Sequence, residues 1–141
     1  MRIDFEVIGL PKAQARPRVF RAGGKIMTHS PKTNWYQLVY WAAVQHRAKT
    51  VLSGPLKMEI TLVLPIPTSW SKKKKTAAHY VSVRPDLDNY AKAILDAFNN
   101  ACVWQDDGQV SELIIRKVYG QEPKAVISVE ELENKAEGIS D

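Results

Sequence analysis

A chain of 141 residues, 45% hydrophobic and 25% charged, is long enough for one domain with a buried core, which excludes a disordered chain. Lys and Arg outnumber Asp and Glu by 20 to 15, and the net charge of +5 favours an anionic partner. A single cysteine, Cys102, excludes an intrachain disulfide and fits a reducing cytoplasm; together with His29, His46 and His79 it makes no zinc pattern. No apolar run reaches the ~18 residues of a membrane span, and Arg2, Asp4 and Glu6 interrupt any signal-peptide pattern.

Taken in chain order, "RIDFEVIG" alternates strictly, with Ile3, Phe5 and Val7 on one face, and reads as a half-buried strand. "LPKAQARPRVFRAGGKIMTHS" reads as an extended arm with a small hairpin at Gly23-Gly24. From Pro31 to Lys49 the pattern is helical, with Ser30 as N-cap and Pro31 in the first turn. Trp35, Tyr36, Tyr40 and Trp41 read as core and interface aromatics rather than base-stacking platforms. "LKMEITLVL" alternates again and is the clearest strand. "PIPTSWSKKKKTAAHYVSVRP" reads as a long basic loop. Leu87, Tyr90, Ala91, Ile94, Leu95 and Phe98 then form a helical apolar stripe that stops near Asn99-Asn100. "QVSELIIRKVYG" and "KAVISVEEL" read as two strands.

The resulting order, β-α-β-α-β-β, predicts an α+β two-layer sandwich: a mostly antiparallel sheet with two helices on one face. Residues 1–132 form one domain, and 133–141 an acidic tail that is expected to fray.

The acidic residues before and after the second long helix raise the functional question. Asp86 and Asp88 stand two apart at a loop-to-helix junction, where an extended backbone points both the same way. Asp88, Lys92 and Asp96 share one helical face. Asp106 and Asp107 precede Gly108. Magnesium takes hard oxygen ligands, and an ammonium beside them suits a phosphodiester under attack. Ordinary chemistry also accounts for these residues, and taken alone it is the readier account. Asp caps helices, an Asp-Lys-Asp ladder is a common surface feature, and "DDG" is a common turn.

Both acidic elements together, in "RPDLDNYAKAILDAFNNACVWQDDGQV", resemble the RusA family of Holliday junction resolvases. The family's Asp-x-Asp-Asn-x-x-Lys motif corresponds to Asp86, Asp88, Asn89 and Lys92. Its bulky residue followed by an Asp pair corresponds to Trp104, Asp106 and Asp107. The resemblance is firm from about Arg84 to Lys117 and extends loosely upstream. It implies a crossover junction endodeoxyribonuclease that uses Mg²⁺, with Mn²⁺ as a possible substitute, and works as a homodimer on four-way DNA junctions in recombination and repair. The implied metal ligands are Asp86, Asp88 and Asp107, with Lys92 as the catalytic lysine. Asp106 is an alternative ligand or, like Asn89, a group supporting the ligands. The connection "NNACVW" departs from the family in lacking a glycine.

Outside the motif, Arg16 and Arg18 flank Pro17 on a stiff arm and, with Arg21 and Lys25, are candidate phosphate contacts; a solvated loop is the bland alternative. The Lys72 to Lys75 run reads as a solvated face or a non-specific DNA contact. Trp104 reads as the packing residue that fixes the loop bearing Asp106 and Asp107. Lys117 lies on the following strand and reads as an exposed strand residue, with contact to DNA as the alternative. Two further functions remain open on these residues: a non-catalytic nucleic-acid-binding protein, and a metal-dependent nuclease of other branched or single-stranded DNA.

Overall fold

The alternating stretches form the sheet that carries everything else. In the computed structural model, which describes residues 1–14, 18–29 and 33–133, β1 (Arg2–Ile8), β4 (Leu56–Pro65), β5 (Val110–Gly120) and β6 (Lys124–Glu131) make one four-stranded sheet. The strand order is β1-β6-β4-β5. β6 is antiparallel to both β1 and β4, whereas β4 and β5 are parallel. The sheet is therefore mixed, with two of its three pairings antiparallel. The parallel pair has a simple cause: a helix connects its strands, and only such a crossover lets the chain return in the same direction. The short link after Gly120 does not fold β5 and β6 into a hairpin; β6 passes beyond β4 and inserts between it and β1.

Register puts the apolar side chains in rows. Ile3, Phe5 and Val7 lie opposite Val129, Ile127 and Ala125, which lie opposite Met58, Ile60 and Leu62. All nine are buried, on the face covered by α1 (Asn34–His46) and α3 (Leu87–Asn100). The helices contribute Trp35, Val39 and Ala43, and Tyr90, Ile94 and Phe98. The Phe98 ring lies 5.8 Å from that of Phe5 and 5.3 Å from that of Trp104. Burying a side chain of this size stabilises the fold by about 1.5–3 kcal/mol. The opposite sheet face is polar, with ion pairs between Arg116 and Glu59 and between Lys124 and Glu6. At its far end the Glu131 carboxylate accepts from the Ser53 N–H at 2.9 Å and faces the N-terminal ammonium; the Ser53 bond is the main reason its pKa lies below the usual value.

Several local expectations change. α1 begins at Asn34, because the Thr33 hydroxyl accepts from the Tyr36 N–H at 3.1 Å and supplies the N-cap. Ser30 and Pro31 lie outside the described residues. Trp35 and Tyr36 are core, but Trp41 is 62% exposed. The basic loop contains a third helix, α2 (Lys72–Ala77), capped by Ser71, whose hydroxyl accepts from the Lys74 N–H. Lysine has fair helix propensity, and the run holds no proline or glycine to interrupt a turn. β2 (Arg18–Ala22) and β3 (Lys25–His29) form the expected hairpin. Gly23 and Gly24 both have positive φ, 59° and 79°, as a two-residue turn of this hand demands.

The missing glycine has an address. After α3, the Val103 N–H bonds back to Phe98 and the Cys102 N–H to Asn99, the paired bonds of a Schellman stop. That motif wants a left-handed residue at its centre, and Cys102 occupies it with φ of 58°.

Candidate active site

Asp86 is the N-cap residue of α3 by backbone conformation, but its carboxylate caps nothing. Asp88 lies in the first turn and Lys92 one turn later; both are exposed. Among the described residues no ion pair joins Asp88, Lys92 or Asp96. The two ordinary roles, cap and surface ladder, are thus not taken up. These hard-oxygen side chains stay available at the positive end of a helix dipole, with an ammonium on the same face.

The loop before Asp86 is held from the sheet. The Lys117 ammonium donates to the carbonyl oxygens of Val83 and Pro85, at 2.6 and 2.7 Å. Lys117 is a pin rather than a free strand lysine. In the strand register it falls on the same alternation as Leu113, Ile115 and Tyr119, opposite the buried Leu62. Next to it, His79 to Val81 pair with the outer side of β5. Val81 N–H donates to Lys117 and Tyr119 N–H to His79. Trp70 packs edge-on to Tyr119, and the Lys74 ammonium stands 4.3 Å over the Trp70 ring, so the lysines of α2 belong to the same end of the molecule.

The basic arm also starts here. The Gln14 N–H donates to the Asn89 carbonyl at 3.1 Å, tying the arm to the first turn of α3. The hairpin beyond it carries Arg21 and Lys25, both exposed. Arg16 lies outside the described residues, as does the side chain of Arg18 on β2.

Asp106 and Asp107 are built differently. Gln109 holds the turn: its Oε1 accepts from the N–H groups of Gln105 and Asp106, and its Nε2 donates to the carbonyls of Leu52 and Gly54. The Asp106 carboxylate folds over Gly108, where a Cβ would sit 2.7 Å from its Oδ2. Trp104 is buried, and its indole N–H donates to Asn99, fixing the loop as expected. Asp107 opens the short 3₁₀ turn Asp107–Gln109 and is partly exposed.

The two acidic pairs stand at opposite ends of β5. Asp107 precedes Val110, while Asp86 neighbours the carbonyl pinned by Lys117, seven residues further along the strand. Seven extended residues span roughly 23 Å. Among the described residues, no three His, Cys, Asp or Glu side chains are grouped closely enough to hold a metal ion. One chain therefore brings Asp86, Asp88 and Lys92 together and keeps Asp106 and Asp107 apart from them.

The family model described as Endodeoxyribonuclease RusA matches residues 9–130. The chain belongs to the RusA family. A protein of Bacillus subtilis (strain 168) described as "Uncharacterized protein YqaN" is 38% identical over 138 residues, covering 92% of this chain and 96% of its own. "Crossover junction endodeoxyribonuclease rusA" of Lactococcus phage r1t is 26% identical over 132 residues, with the same coverage. The RusA assignment makes the chain an endodeoxyribonuclease. Among the described residues no helix is long and apolar enough to cross a membrane.

Proposed function

We propose that this RusA-family chain resolves four-way DNA junctions by paired, symmetric, Mg²⁺-dependent nicks. The observation that carries the reading is the Asp86 carboxylate, at a helix N-cap yet capping nothing, with Asp88 and Lys92 equally unengaged beside it. Groups held in place but left unbonded are what a reaction centre requires.

Asp86, Asp88 and Asp107 would hold the metal, with Asp106 and Asn89 supporting them. Hard carboxylate oxygens fit Mg²⁺, and Mn²⁺ after it. When bound, the ion supplies Lewis-acid polarisation of the phosphodiester and a more acidic water. Lys92 stands ready to stabilise charge that develops on the phosphate oxygens. Lys117 fixes the loop that sets Asp86. Arg21 and Lys25, with Arg16 and Arg18 on the same arm, hold the DNA backbone and neutralise phosphates.

Because one chain keeps Asp107 far from Asp86 and Asp88, the centre is closed between two copies. Asp107 of one chain joins Asp86 and Asp88 of the other. A homodimer of this kind has two such centres related by a two-fold axis, which suits two symmetric cuts.

Subunit mixing tests the reading. Asp86→Asn and Asp107→Asn chains are each expected to be inactive alone on a synthetic mobile junction with Mg²⁺. Their mixed dimer has one intact centre and is expected to nick one strand. Mixtures that stay inactive, while wild type cuts, place all three ligands in one chain. Competition between junction and linear duplex separates junction resolution from cleavage of other branched DNA, and a chain that binds junctions but cuts none with Mg²⁺ is a binding protein only.

A further inference from the structure

We infer that the cleft between the basic arm and the first turns of α3 is a pocket for one unstacked nucleobase beside the phosphate to be cut, with the Tyr90 hydroxyl as the group that reads it. The inference rests on the junction cleavage proposed above and names the part of the substrate, other than phosphate, that the centre grips.

The cleft measures about 420 Å³, within the range of small-ligand sites. Its walls are apolar: Pro11 on the arm, Leu64 and Pro65 at the end of β4, and Pro85 on the loop before α3. Both flanks are fastened. The Gln14 N–H, donating to the Asn89 carbonyl at 3.1 Å, holds the arm. The Lys117 ammonium, donating to the Pro85 carbonyl at 2.7 Å, holds the loop. Walls already fixed lose little freedom when a ligand enters.

Two polar side chains line this apolar cleft. Lys12 is exposed. Tyr90 is only 4% exposed and lines the cleft from α3. Among the described residues no hydrogen bond engages its hydroxyl. Burial raises its pKa, which keeps the phenol protonated, able both to donate and to accept. A buried hydroxyl without a partner is costly, and a ligand that bonds to it removes that cost.

The occupant follows from position. Pro85 immediately precedes Asp86, and Tyr90 follows it by one helical turn, its N–H 3.4 Å from the Asp86 carbonyl. A phosphodiester held at Asp86 and Asp88 therefore has its own base beside the cleft. Lys12 suits the neighbouring phosphate. Apolar walls with one hydroxyl suit the face and the polar edge of a base. A base stacked in linear duplex cannot enter. At a branch point stacking is already interrupted, so a base leaves it at least cost.

The fluorescence of 2-aminopurine, which brightens on unstacking, tests the pocket. The probe is placed at the branch point of a synthetic junction and saturated with full-length protein without Mg²⁺. Wild type is expected to brighten it several-fold and to leave the same base in linear duplex unchanged. Leu10 lines the cleft and is 47% exposed, so Leu10→Trp fills the cleft from its open side. That variant is expected to keep its circular dichroism spectrum and to lose the brightening at saturation. Tyr90→Phe keeps the ring and is expected to keep the brightening. With Mg²⁺ it should cut more evenly than wild type among junctions carrying each of the four bases at that position, by up to about tenfold, the worth of one hydrogen bond. No brightening in a junction that wild type binds and cuts, or full brightening by Leu10→Trp, overturns the pocket and leaves the proposed function standing. An unchanged base preference in Tyr90→Phe overturns the role of the hydroxyl. Brightening that Leu10→Trp abolishes, in a protein that cuts nothing, supports the pocket and removes the function. A protein that binds no junction overturns both.

Discussion

The Lys117 ammonium is hydrogen-bonded to the Pro85 carbonyl at 2.7 Å, joining an edge strand to the residue before the first catalytic candidate. With the second bond to Val83, one side chain fixes the direction in which the chain enters α3. A hydrogen bond from a charged donor contributes about 1.5–3 kcal/mol, nearer the lower figure for a partly exposed group.

Lys117→Met keeps the aliphatic stem and removes both bonds. Urea unfolding is expected to show a loss of about 1.5 kcal/mol. The single-turnover cutting rate is expected to fall by more than that stability loss explains, because Asp86 is no longer aimed. A rate equal to wild type at full folding would show that the pin serves stability alone.

Asp86→Asn and Asp88→Asn are expected to abolish cutting and leave stability within about 0.5 kcal/mol of wild type, since neither carboxylate makes a structural bond. Junction binding should persist or tighten as negative charge is removed. A fall in melting temperature of several degrees would instead reveal a cap.

Lys92→Ala should slow the single-turnover rate by about 10²- to 10³-fold, the usual cost of removing one preorganised electrostatic group. Lys92→Arg should recover only part of it, because a planar fork does not replace a point charge. Normal cutting by Lys92→Ala would leave the residue as a surface lysine.

Arg21→Ala with Lys25→Ala should weaken junction binding at low salt. Every phosphate left without its cation lowers the slope of log K against log salt by about 0.9. An unchanged slope would move the electrostatic interaction to Lys72, Lys73, Lys74 and Lys75, and the same titration on alanine variants of α2 would then show the decrease.

Cys102→Gly should stabilise the fold by up to about 1 kcal/mol, since a left-handed backbone costs that much for a residue with a Cβ. Cys102→Val should destabilise it, because β-branching suits that conformation least. Chemical denaturation of the two variants against wild type measures both. Equal stability of all three would mean that the Schellman turn relaxes without cost.

The amino-acid sequence determined a good deal by itself. Alternation at Ile3, Phe5 and Val7 and at Met58, Ile60 and Leu62 is a local property of strands half-buried on one face, so it was legible without the fold. So were the α3 stripe, the Gly23-Gly24 hairpin and the acidic motif around Asp86 and Asp88. Tertiary structure decided the rest. The insertion of β6 between β1 and β4 depends on pairing between segments more than 100 residues apart, which no local pattern encodes. The start of α1 at Asn34 turned on the Thr33 hydroxyl, which accepts from the Tyr36 N–H. Lys117 reads as a surface lysine until the strand register puts it beneath Pro85. The separation of Asp107 from Asp86 is likewise invisible to spacing, because α3 and β5 run in opposite directions and carry the two ends of one motif apart.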